Sequence, residues 1–129
     1  YKRQSLEFLK ISKEIVTCYT VPQVQKCVVV KSDGLLRTCI SRAYYSAFIL
    51  ARHITSLENY EKQDVHRRVI EKLREINMKD VSSLLFKLRR ERNDADYKVE
   101  REFTFRDAEY YVKIAERIVN KLKRVRPLS

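Results

Sequence analysis

A chain of 129 residues, 44% hydrophobic, is sized for one domain with a substantial core. One glycine and two prolines exclude an all-β architecture, whose turns depend on those residues, and any glycine-rich phosphate loop. A formal net charge of +11 favours contact with phosphates or an acidic partner, although 35% charged residues also describes a solvated surface.

In chain order, residues 3–19 read as a helix with Leu6, Leu9 (or Lys10), Lys13 and Val16 with Ile15 on its inward side. Pro22 interrupts it. Residues 22–31 are open to two readings, a short helix or an extended Val28-Val29-Val30 run. Ser32-Asp33-Gly34 marks a break and a helix cap. A long helix follows over 34–56, with Leu36, Cys39, Ile40, Ala43, Ala47, Leu50, Ala51 and Ile54 at helical spacing. Its alanines at 43, 47 and 51 form a line that lets a neighbouring helix come close.

A third helix is predicted over 64–76, capped by Asp64 and packed through Val69, Ile70, Leu73 and Ile76. A fourth, with Asp80 as its candidate cap, runs to about Ala95. Its stripe of Val81, Leu84, Leu85 and Leu88 carries on, at four and eight residues beyond Leu88, to Arg92 and Asp96. An arginine and a carboxylate on a packing face call for a reason, either a paired structural charge or a site. Thr104-Phe105-Arg106-Asp107 has the form of a capping box. Phe105, Ala108, Val112, Ala115, Val119 and Leu122 then give the cleanest helical period in the chain. The fold class expected is all-α: one antiparallel bundle of four to five helices over residues 1–129.

The chemistry available is narrow. Cys18, Cys27 and Cys39 have no paired spacing, and an odd count without a secretory pattern points to reduced thiols in a cytoplasmic protein. The Cys27-Val28-Val29-Val30 run is too short for a membrane span. No metal-ligand spacing is present, so neither metal nor cofactor is expected. His53 reads as a surface or helix-end residue; His66 stands nearer an apolar face. Of the adjacent Tyr44 and Tyr45, about 100° apart on a helix, one faces the core and the other its edge, where its hydroxyl can reach a partner.

Three segments in order, Ser41-Arg42-Ala43-Tyr44-Tyr45-Ser46-Ala47-Phe48, His66 opening the next helix, and Leu88-Arg89-Arg90-Glu91-Arg92-Asn93-Asp94-Ala95-Asp96-Tyr97, resemble the HEPN domain family. The resemblance extends from about Gly34 to the last helix; the segment before Gly34 does not share it. It implies a four- or five-helix bundle, commonly a homodimer. In many members an arginine and a histidine four to six residues later meet across the dimer and cleave RNA. Arg92 with Asn93 matches the start of that motif, but no histidine follows, and Asp96 lies nearest its place. The chain resembles the form that ends in Ala-Asp-Tyr.

That departure has a chemical consequence. Histidine both removes and supplies a proton near neutral pH, whereas an aspartate beside an arginine does neither well. Arg92, Asn93 and Asp96 therefore stand as the candidate catalytic set, with an intrahelical or dimer-interface ion pair of Arg92 and Asp96 as the favoured reading. Arg42, Tyr45, His66, Arg89 and Tyr97 are the candidate binding residues. By resemblance, the partners are a second copy, a small nucleotidyltransferase of the toxin–antitoxin kind, and a nucleotide or RNA, with no membrane. The alternative is a metal-independent ribonuclease toxin in which His66 or Tyr97 replaces the missing histidine.

Overall fold

The structure, a computed structural model, describes residues 1–20 and 33–128, and for residues 18–20 the backbone only. It contains α1 (Lys2–Thr20), α2 (Asp33–Ile54), α3 (Val65–Glu75), α4 (Lys79–Tyr97) and α5 (Phe105–Leu122), with no strand among the described residues. The expectations for 22–31, and the side chains of Cys18, Cys27 and Ser32, lie outside the described residues. None of the helices is long and apolar enough to cross a membrane.

α2 is the central helix and packs against the other four. Its predicted face is buried throughout, including Ala43, Ala47 and Ala51. α1 runs antiparallel to it, with Leu9, Ile15 and Val16 against the core as expected but Leu6 and Lys13 turned outward. Leu6 is 46% exposed and Lys13 pairs with Glu116 on the surface, while Ser5, Leu9 and Ser12 face inward. The Ser5 hydroxyl donates to the Ser46 carbonyl at 2.6 Å, and that of Ser12 to the Cys39 carbonyl at 3.0 Å. Buried hydroxyls are tolerated where they find such partners. Cys39 is a free, fully buried thiol whose pKa is pushed up to about 12 by burial, so it stays an inert packing group.

Helix ends explain how a chain with one glycine turns so often. After α2, Ser56 takes a left-handed φ of 57°, and the Leu57 amide donates back to the Arg52 carbonyl. After α3, Asn77 does the same at φ 69°, with Met78 donating to Leu73. Both are Schellman endings with a non-glycine residue at the left-handed position, where asparagine is the usual substitute. α5 begins on the predicted capping box, Thr104 and Asp107 each accepting from the other's amide.

The two aspartate caps did not form as expected. Asp64 occupies the N-cap position of α3, but its carboxylate accepts from the Tyr60 hydroxyl and Arg67 instead of a helix amide. α4 starts one residue before Asp80, which lies in the first turn and pairs with Lys121 of α5.

Candidate functional site

The α4 core stripe runs Val81, Leu85, Leu88, then Glu91 and Ala95, all buried. It drifts toward the i+3 position after Leu88, so Arg92 sits at the edge of the packing face instead of its centre. This corrects the placement inferred from spacing: Glu91, not Arg92, is the charge inside the stripe.

At that edge the α2 tyrosines meet α4. Tyr44 is fully buried and Tyr45 half-buried. The Arg92 side chain, 15% exposed, donates from Nη2 to the Tyr45 hydroxyl at 2.6 Å and from Nη1 to Asn93 Oδ1 at 3.1 Å. Its Nε lies 2.7 Å from Asp96 Oδ2, an ionic contact whose N–H makes no aligned hydrogen bond. The guanidinium carbon stands 5.0 Å from the Tyr45 ring centre and 5.9 Å from those of Tyr44 and Tyr97. Three aromatic rings thus surround one cation. A guanidinium has five N–H donors, so one hydrogen on each terminal nitrogen stays uncommitted among the described residues.

His66, at the start of α3, belongs to the same cluster. Its ring stacks on Phe48 at 4.1 Å, and Nδ1 lies 2.6 Å from the Tyr44 hydroxyl. Burial pushes the Tyr44 hydroxyl up, against the charges of Arg89 and Arg92, so it remains a phenol. Burial, then the charges of Arg89, Arg92 and Arg52, lower His66 to about 4. The imidazole is therefore neutral at pH 7. With Tyr44 donating to Nδ1, no buried hydroxyl proton is left unpaired, and in that tautomer the ring proton is on Nε2. In that tautomer Nε2–H is a donor and Nδ1 is already occupied, which disfavours a general-base role.

This shift has a measurable consequence for stability. The neutral form is favoured in the fold, so the contribution of His66 is complete above its ordinary value of 6.5 and is lost as pH falls toward about 4. Discounted for the half-exposed ring, the loss is about 1–2 kcal/mol. Urea denaturation between pH 7 and 4.5 should show this slope in the wild type and a flatter one in His66→Gln. Equal slopes would mean that the ring is as protonatable in the fold as outside it.

The other candidates lie further out. Tyr97 is 73% exposed and touches the cluster only through its ring. Arg89 contributes charge to Tyr44 and His66 from one turn earlier on α4. Arg42 points elsewhere: its guanidinium lies 5.2 Å from the Phe8 ring of α1, beside an open groove of about 440 Å³ lined by Arg37, Thr38, Ser41, Ala95 and Asp96. His53 stacks on Tyr1 at 4.7 Å, away from the site. Among the described residues no group of three or more His, Cys, Asp or Glu is placed to hold a metal.

Spacing did not reveal what holds the end of α4. Arg37 donates to the carbonyls of Asp94, Ala95, Lys98 and Val99 at 2.9–3.3 Å, and to that of Arg101. One guanidinium thereby reaches two of the open carbonyls at the end of the helix that carries Arg92 and Asp96, and three more in the loop that follows. Arg101 ties the following loop to Glu91 and Asp94. The only hint in the sequence is Glu91, three residues after Leu88, in the second phase of the stripe.

Neither the comparison with curated proteins nor that with solved structures returned a match. The family model of the HEPN domain matches residues 26–125, which contain the whole Tyr44–Tyr45, His66 and Arg92–Asp96 constellation and most of the 129-residue chain. This chain belongs to the HEPN domain family.

Proposed function

We propose that this HEPN domain is a nucleotide- or RNA-associated module that works as a homodimer, paired with a small nucleotidyltransferase in a toxin–antitoxin-like system. The observation that carries the ligand reading is the Arg92 guanidinium. It is gripped on three sides by Tyr45, Asn93 and Asp96, and two of its hydrogens remain open to an acceptor. A planar fork held in this way suits bidentate contact with a phosphate. The surrounding excess of Arg and Lys, 28 against 17 acidic residues, favours such a ligand over a neutral one.

Proton transfer fits less well. Asp96 lies against a cation, and His66 has its Nδ1 occupied by Tyr44. Binding or assembly is thus the better-supported role, with Arg92, Asn93 and Asp96 at the centre and Tyr45, His66, Arg89 and Tyr97 around it. Exposed Tyr97, at the end of the motif, and Val99 just past it suit contact with a second copy. Arg42 joins as a contact in the neighbouring groove.

The second reading, a metal-independent ribonuclease, is favoured by one observation: His66 lies in the same aromatic cluster as Arg92. The two readings separate in one experiment. Purified protein, incubated with single-stranded RNA in chelator, is expected to bind it without cleavage and to scatter light as a dimer at micromolar concentration. Cleavage abolished by Arg92→Ala would establish the nuclease. A monomer that neither retains RNA or nucleotide nor co-purifies with the product of its neighbouring gene would remove the proposal.

A further inference from the structure

α3 and α4 leave a groove between them on the side of Arg89. Ile70 and Phe86 form its floor, Arg67, Arg74 and Arg89 its rim, and Ser83 its far end. The cavity near Arg67 and Arg89 measures about 290 Å³, and the adjoining one near Ser83 about 190 Å³. Phe86 is 54% exposed, although the α4 residues Val81, Leu85 and Leu88 are fully buried. Glu71 also lines the groove, but Arg67 and Arg68 take up its charge. Among the described residues Arg74 and Arg89 have neither an ion pair nor a side-chain hydrogen bond, so the rim has cationic charge to spare.

The groove ends at Arg89, one turn of α4 before Arg92. Phe86, Arg89 and Arg92 step three residues at a time along α4, an axial rise of roughly 9 Å from first to last, each step turned about 60° around the helix. Stacked nucleotides advance about 3.4 Å each, so this span matches two to three of them. Arg89 is common to both places: it rims the groove and its charge bears on Tyr44 and His66.

We infer that the α3–α4 groove is an extended single-strand subsite, in which a base stacks on Phe86 while Arg74 and Arg89 hold the backbone of an RNA strand leading away from Arg92. The inference rests on the nucleotide and RNA reading of that centre. An aromatic platform beside unpaired cations is how proteins hold single strands without sequence preference, because every base has a π-face. An acidic peptide is the rival occupant. It fits less well, because two apolar side chains make a narrow floor for a docking helix but a sufficient one for a base.

The test compares 2′-O-methyl oligoadenylates of two and ten nucleotides, which resist cleavage, by fluorescence anisotropy. The ten-nucleotide probe is expected to bind at least tenfold more tightly than the dinucleotide. In Phe86→Ala and in Arg74→Glu this length advantage should shrink by fivefold or more, in line with a lost stacking or phosphate contact. Binding that is independent of length, or an advantage unchanged in both variants, would overturn the subsite and leave the Arg92 reading standing. No binding at either length would overturn the Arg92 reading itself and the subsite with it. A glutamate-rich peptide that binds in a Phe86-dependent way, with no length effect for RNA, would make the groove a protein-docking face and also overturn the inference.

Discussion

Arg101→Met is expected to lower the unfolding free energy by about 2–4 kcal/mol, the range for stripping a partner from a largely buried carboxylate when the partner is itself part-exposed. Glu91 is 6% exposed within the α4 core stripe, and the charge nearest its Oε2 is Arg101 Nη2 at 2.5 Å. Burial alone would raise Asp94, yet Arg101 and Lys98 hold its carboxyl below the usual range. The Arg101 guanidinium also lies 4.6 Å from the Phe103 ring, so methionine, which keeps the apolar stem, isolates the loss of charge from the loss of packing. The Glu91→Gln, Arg101→Met double variant should be more stable than Arg101→Met alone, because the amide carries no uncompensated charge. Urea denaturation of the four proteins in this cycle measures the coupling. A single-variant loss below about 1 kcal/mol would place the pair with ordinary solvent-screened surface pairs.

The same pair shows where the sequence was readable and where it was not. Helix positions were legible, because apolar periodicity and the Thr104 box act within a few residues of one another. The inward side of α1 was legible only in part: Leu9, Ile15 and Val16 pack inward, but the two buried serines and the outward Leu6 were not foreseen. Ser5 and Ser12 are buried by virtue of carbonyls of α2 that lie 41 and 27 residues away, and a hydropathy pattern cannot register an acceptor on another helix. Asp64 and Asp80 read as caps by position, but Tyr60 and Lys121 compete for their carboxylates. The Arg92–Asp96 turn was legible as a charged break in a stripe. Its supports were hidden for the reason that hid the serines: Arg37 reaches carbonyls 57 to 64 residues later in the chain. The aromatic surroundings of Arg92 lay between these limits, since Tyr44-Tyr45 and His66 stood out as motifs while their convergence depended on the packing of α2 against α3 and α4.

Arg92→Ala is expected to weaken binding of a short oligoadenylate by about 100-fold or more, the equivalent of two charge-assisted hydrogen bonds at roughly 1.5–3 kcal/mol each. Arg92→Lys should recover only part of this. A lysine keeps the charge but loses the plane that now bridges Tyr45, Asn93 and Asp96 while offering two further hydrogens. The most telling variant is Asp96→Asn. If Asp96 serves as a proton acceptor, the substitution should abolish turnover and leave binding alone. If it steadies Arg92, removing its negative charge relieves repulsion of the incoming phosphate, worth about 1 kcal/mol at 4 Å even in water. Tyr45 and Asn93 still orient the fork, so affinity should rise several-fold. The slope of log affinity against log salt should fall by about 0.7 in Arg92→Ala, as one single-strand phosphate contact is lost, and stay unchanged in Asp96→Asn. Weaker binding in Asp96→Asn together with an unchanged slope in Arg92→Ala would move the phosphate contact away from Arg92, because neither charge would then be facing the ligand.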